Sequence, residues 1–193
     1  MAGKIHRFAE SLNKEKGHQK IGEEMINGLN EYMEKNGKNE RFSINERYDN
    51  FEQYKKQQLE GQDVSIVMTN NETGDEKYIT VDFKYRFPNW EGRSYDDFLA
   101  EIVSVDISNK PGWAVDKSKT NDLILYAITG KRKGILVHRK DLNRAFENKL
   151  FFKAPVKSAQ NEGYNGKKYK THNVVITIPE LKKCCPTTIV FDY

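Results

Sequence analysis

The apolar positions of this chain change their period several times. In HQKIGEEMINGLNEYMEKNG, residues Ile21, Met25, Leu29, Tyr32 and Met33 recur at three- and four-residue steps. That spacing predicts a helix with one apolar stripe, ended by Gly37. His18 falls near the same stripe and is read as a packing residue. NERYDNFEQYKKQQLEG is polar and predicts a second helix or helical turn, with Gln57 and Gln58 just before GQD. The period then shortens, predicting strands near Val64–Met68, Lys77–Phe87 and Asp97–Asp106. The third is apolar on both faces, with Phe98, Ala100 and Ile102 against Leu99, Val103 and Val105, which predicts a covered central strand. NNETGDE, Asn70 to Glu76, suits a hairpin turn, and PNWEGRSYDD and NKPGW suit loops. Trp113 is expected to seal the core, and Trp90 to sit exposed or half-packed.

LILYAIT and GILVHR form two further β-like runs across the basic turn GKRKG. DLNRAFENKLFF predicts a helix capped by Asp141, with Leu142, Ala145, Phe146 and Leu150 at helical spacing. APVKSAQNEGYNGKKYKTH is poor in apolar residues and is read as a long loop. Its Tyr164 and Tyr169 interleave with lysines, so it is a candidate lid or nucleic-acid contact. NVVITIPELKKCC predicts a strand and a short helical turn.

The candidate chemistry sits in the second of the three strands. Residues i and i+2 share one face of a strand, so Asp82 and Lys84 project together while Val81 and Phe83 point into a core. Asp63 opens the preceding apolar run. A carboxylate and an ammonium on one face of a half-covered strand suit metal-dependent phosphodiester hydrolysis. Carboxylates hold Mg²⁺, the metal makes hydroxide available, and an ammonium positions the water and meets developing charge. The plainer alternative is a solvated strand face with a surface ion pair, which contributes little. A rival triplet, Glu101-Ile102-Val103, follows Asp97 but carries no Lys and is rejected. Glu101 remains as an auxiliary acid or a partnered polar residue.

The order GQDV, hairpin, ITVDFK, FLAEIVSV, GW…K…ND and LILYAIT resembles the PD-(D/E)xK (restriction-endonuclease-like) nuclease superfamily, over roughly Gly17 to Thr129. The resemblance implies an α/β fold, a mixed central sheet flanked by helices. It implies that Asp63 and Asp82, with the backbone carbonyl of Phe83, hold Mg²⁺ or Mn²⁺ and that Lys84 orients or deprotonates the water. It also implies a first-helix Glu directed toward the metal; Glu24 flanks the apolar stripe while Glu23 points away, so Glu24 is the first candidate and Glu23 the second. The expected activity is endo- or exonucleolytic hydrolysis of nucleic acid, DNA before RNA. The alternative is a non-catalytic nucleic-acid-binding or inhibitor protein on the same fold, of phage or mobile-element type.

Composition adds the partner. A chain of 193 residues is expected to form a single nuclease-like domain, with a core about 17–129 and a basic C-terminal extension about 130–193. Net charge is +4, but Asp122 to Tyr193 carries 14 Lys and Arg against 6 Asp and Glu. The basic portion is expected to attract phosphates while the carboxylates attract cations. Lys131, Arg132, Lys133, Lys167, Lys168 and Lys170 are the candidate nucleic-acid contacts. Charged residues make up 31% of the chain and no apolar run approaches a membrane span, so a soluble, cytoplasmic protein without membrane contact is expected. Adjacent Cys184 and Cys185 form neither a disulfide framework nor a zinc set and are read as reduced thiols. There is no repeat, phosphate-binding Gly-rich loop or nucleophile elbow.

Overall fold

The computed structural model describes residues 2–46, 64–89, 91–162 and 166–193. Asp63, Gln57, Gln58, Trp90, Tyr164 and the predicted second helix lie outside the described residues, as does the side chain of His18.

Helix α1 spans Ala2–Lys35. Met25, Leu29 and Met33 of the predicted stripe are buried, as is Ile26, while Ile21 and Tyr32 pack partly exposed against them. The helix stops where predicted. Gly37 takes a left-handed φ of 63°, and the amide of Lys38 turns back to donate to the carbonyl of Met33 at 2.9 Å. Gly28 lets α1 lie directly on the chain's last strand, since a Cβ there would stand 2.4 Å from the Asp192 carbonyl oxygen.

Ten strands form two sheets among the described residues. In chain order they are β1 (Glu40–Glu46), β2 (Val64–Asn70), β3 (Glu76–Arg86), β4 (Asp97–Val105), β5 (Lys110–Pro111), β6 (Leu123–Ile128), β7 (Lys133–His138), β8 (Val156–Glu162), β9 (Lys168–Thr177) and β10 (Ile189–Asp192). The six-stranded sheet runs β1-β2-β3-β6-β7-β10, and the four-stranded sheet β5-β4-β9-β8. Every pairing is antiparallel except β3 with β6, which is parallel. The β2–β3 turn forms at NNETGDE: the Asn70 side chain accepts from the amides of Glu72 and Thr73, and Gly74 takes a φ of 74°. Helix α2 (Arg139–Glu147) follows β7 and helix α3 (Ile178–Cys184) follows β9.

Two cores result, one on each face of the six-stranded sheet. Under α1 lie Phe42, Ile66, Val81, Phe83, Leu125 and Phe191. On the other face, Ile124, Tyr126, Ile135 and Val137 meet Phe98 and Ala100 of β4, Val174 and Ile176 of β9, and α2 and α3 through Leu142 and Leu181. The architecture is thus mixed α/β. Residues from 130 onward supply four strands and two helices to it.

Four expectations need correction. The strand Asp97–Val105 is flanked by neighbours as predicted, but they are β5 and β9 of the second sheet, because period reports burial and not partner. The long polar stretch expected as a loop is largely the β8–β9 hairpin. All but one residue of β8 is exposed, so it carries no apolar alternation and is held by its backbone ladder. Asp141 does not cap α2, which begins two residues earlier at Arg139; its carboxylate instead takes Arg144 at 2.9 Å and the Thr187 hydroxyl. Leu150 is 47% exposed, since α2 ends at Glu147 and Lys149 turns left-handed (φ 54°).

Candidate functional site

Strand β3 is bonded along both edges, to β2 and to β6, and its side chains enter the core on one face and are buried at Asp82 on the other. Alternation sends Val81 and Phe83 under α1 and Asp82 and Lys84 toward the second sheet, as the sequence predicts. Asp82 is only 1% exposed. A carboxylate so buried needs compensating charge and hydrogen bonds, and it has two cations. The Lys84 ammonium bonds Oδ1, and Arg139 Nη2 donates to Oδ2 at 3.2 Å. The same ammonium stands 3.4 Å from the carbonyl oxygen of Phe83.

Arg139 begins α2 and is itself 3% exposed. Its Nη1 donates to the Trp113 carbonyl at 2.7 Å, and its Nε and Nη2 donate to Asn121 Oδ1 at 3.1 and 2.9 Å. Asn121 in turn donates to the Leu123 carbonyl at 2.7 Å. Burial lowers the Arg139 pKa from its ordinary value, against the pull of Asp82 and then Asp116. Guanidinium basicity is high enough that the charge stays. One buried arginine thus ties β3, the Trp113 turn, the start of β6 and α2 together around the Asp82 carboxylate.

Lys84 lies at the opening of this network. Its side chain is 27% exposed and its ammonium is 5.7 Å from the Trp113 ring centroid. Trp113 packs edge-on against Phe98 at 5.8 Å, so it serves the core as expected and also borders the site. Beside Lys84 opens a cleft of about 280 Å³, lined among others by Arg86, Tyr95, Trp113, Tyr126 and Asn173. Behind it, Arg86 Nη2 and Asp97 Oδ1 stand 2.9 Å apart, joining β3 to β4. Their alignment is too poor for a hydrogen bond, so the contact is an ion pair whose atoms keep unused hydrogen-bonding capacity.

The other candidate residues lie elsewhere. Glu24 sits on α1, across the sheet from Asp82, and bonds Arg132 at 3.1 Å and approaches Lys20 at 3.9 Å. The expectation that it faces a metal with Asp82 is corrected, because α1 covers the Val81 and Phe83 face. Lys131 and Lys133 pair with Asp96 at 3.1 and 3.3 Å. The Lys131 hydrogen bond leads the effects that hold the Asp96 carboxyl below its usual range, against its slight burial. Arg132 also lies over Tyr193, 5.3 Å from its ring. Lys167, Lys168 and Lys170 enter β9 from the hairpin and are exposed, and the backbone amide of Lys170 donates to Asp106 at 2.9 Å. Glu101 pairs with Asn173 across β4 and β9. Cys185 is buried, which together with Asp141 and Cys184 pushes its thiol up to about 12, so it is not a nucleophile.

Among the described residues no group of three His, Cys, Asp or Glu is placed to hold a metal ion. Two of the oxygens expected to ligate a cation nevertheless converge: Asp82 Oδ1 and the Phe83 carbonyl both face the Lys84 ammonium. The donor set therefore fits one side of a cation site. Sequence reasoning placed Asp82, Phe83 and Lys84 together but did not single out Arg139 or Asn121, which the fold brings to the same carboxylate. No helix among the described residues is long and apolar enough to cross a membrane. Comparison of the chain with protein-family models, curated proteins and solved structures finds no match.

Proposed function

We propose that this protein hydrolyses phosphodiester bonds in nucleic acid, DNA before RNA, using Mg²⁺ or Mn²⁺. The observation that carries this function is the meeting of a buried carboxylate and a backbone carbonyl, from Asp82 and Phe83, with the ammonium of Lys84, which itself lines an open cleft. The β2–β3 hairpin with parallel β6 beside it is compatible with a restriction-endonuclease-like core. When bound, the cation supplies a water of lowered pKa and neutralises charge on the phosphate. Asp82 Oδ1 and the Phe83 carbonyl would hold it, with Asp63 as second carboxylate. Asp63 immediately precedes Val64, and Val64 pairs with Val81, the neighbour of Asp82. Arg139 holds Oδ2, so Oδ1 is the oxygen a cation would take in place of the Lys84 ammonium. The displaced Lys84 ammonium would then orient the attacking water and face the negative charge that develops.

The test is incubation of purified protein with plasmid, single-stranded DNA and RNA, each in Mg²⁺, Mn²⁺ or EDTA. Cleavage with either metal and none in EDTA is expected; no cleavage under any condition overturns the nuclease function. One observation favours a binding protein instead: both Asp82 oxygens are already satisfied, by Lys84 and Arg139. Retention of nucleic acid without cleavage would support that alternative.

Two further outcomes are expected. Asp63→Asn and Asp82→Asn should each weaken Mn²⁺ binding in calorimetry by at least about tenfold, since each removes a charged oxygen from a hard cation. Wild-type Mn²⁺ affinity in both would remove the metal from these residues. Changing Lys167, Lys168 and Lys170 together to Ala should weaken DNA binding for all sequences alike and flatten its salt dependence, measured by anisotropy in EDTA. Each lost phosphate contact releases about 0.9 fewer counterions on duplex. An unchanged slope moves the DNA surface away from the β8–β9 hairpin.

A further inference from the structure

Building on the nuclease function proposed above, we propose that the cleft beside Lys84 is a pocket for one unpaired nucleobase, so that the site acts on a single-stranded or frayed strand. Tyr95 and Trp113 are among the aromatic residues that line the cleft, and both rings are held in place. The Arg86 guanidinium lies 3.7 Å from the Tyr95 ring centroid, and Trp113 is braced edge-on by Phe98. Aromatic walls receive the π-faces of bases without regard to sequence. Polar groups also reach the cleft. Asn173 carries both donors and an acceptor, which suits the edge of a base. The Tyr126 hydroxyl accepts from the Leu99 amide at 3.1 Å, and burial raises that phenol's pKa, so it keeps its proton.

Charge and size narrow the occupant. The Arg86 cation is matched by Asp97 at 2.9 Å, so the back of the cleft is no site for a free phosphate. Lys84 and Arg139 share the single charge of Asp82, so the surplus positive charge falls to Lys84 at the rim, where a backbone phosphate would lie. A volume of about 280 Å³ is the space of roughly nine liquid waters. That admits a base with its sugar but not a base pair with both of its sugars. A base inside a duplex stack cannot reach such a wall pocket unless it is extruded, which gives up its stacking and pairing.

The test uses the full chain in EDTA with 20-nucleotide DNA carrying one 2-aminopurine, offered single-stranded and as duplex. Single strands are expected to bind at least about tenfold more tightly than duplex, with a fluorescence change confined to them. Tyr95→Ala and Asn173→Ala should each weaken single-strand binding about tenfold, while Tyr95→Phe, which keeps the ring, should bind like wild type. Because Tyr95→Ala also removes the Arg86 stack, its melting curve is recorded; if it is unfolded, Asn173→Ala decides. Photocrosslinking of 5-iodouracil DNA gives an independent readout, with adducts expected on Tyr95 or Trp113. Equal single-strand and duplex affinity, or adducts confined to the β8–β9 hairpin, would overturn the pocket. Plasmid cleavage with metal but no single-strand preference rejects the pocket and leaves the nuclease function standing. Single-strand binding lost in the variants without cleavage of any substrate does the reverse.

Discussion

Replacing Lys84 with Ala is expected to reduce metal-dependent cleavage by about 10²–10⁴-fold, the usual worth of a group that moves or holds a proton in the transition state. Stability should change little. The Lys84 side chain is partly exposed, and Asp82 keeps its bond to Arg139 when the ammonium is gone. Mn²⁺ affinity should be retained, because the substitution takes no oxygen from the site; it also removes a competing cation from Asp82 Oδ1. The loss is therefore expected in kcat rather than in binding, the signature of an interaction made in the transition state. Lys84→Arg should not restore the rate, since a planar guanidinium does not reproduce a compact, rotatable point charge at the attacking water. Single-turnover cleavage beside calorimetry and a thermal melt reads all three quantities. Full activity in Lys84→Ala would remove the lysine from the mechanism.

Arg139→Met is expected to have the largest effect on stability of any substitution near the site, about 3–5 kcal/mol. The change leaves a buried carboxylate with one cation instead of two and takes donors from Asn121 Oδ1 and the Trp113 carbonyl. For a chain of this length that is a fall in Tm of roughly 10–15 °C. The double variant Asp82→Asn with Arg139→Met should recover part of the loss, because the stranded charge is gone; a cycle of the four proteins isolates the pair. Arg139→Lys should fall between, since one ammonium cannot span Asp82, Asn121 and Trp113 together. A Tm within about 2 °C of wild type for Arg139→Met, worth less than about 1 kcal/mol, would mean that Asp82 is not held by this network.

The elements that bear the site were readable because several signals agreed on them. Val64–Asn70 and Glu76–Arg86 combine alternation with Asn- and Gly-rich turn chemistry, and the helical stripe around Met25 and Leu29 is closed by a glycine that can turn left-handed. The DxK face followed from strand period alone. The remainder depended on partners that period does not encode. Alternation marked Phe98 and Ala100 as buried but could not say that β4 joins β9. β8 has almost no buried side chain to announce it, and β10 is four residues long. Arg139 looks like any helix-start cation in HRKDL; only the fold brings Asp82, 57 residues away in the chain, to its guanidinium. Glu24 failed for a related reason. Helical angle gives the side of a helix, not which face of the sheet the helix covers.

The parallel seam between β3 and β6 has a consequence for the order of folding. Thirty-six residues separate the two strands, and they contain β4 and β5 of the other sheet. The β2–β3 hairpin is local and can form early, but β6 must close a long loop before it can dock. Until it does, β3 is an open edge with a carboxylate and an ammonium on a face destined for burial. Its compensating partners, Asn121 and Arg139, arrive on the chain that follows. Substitutions at the seam are therefore expected to act on the refolding rate, and β3 to be the strand most open to wrong pairing in the interval.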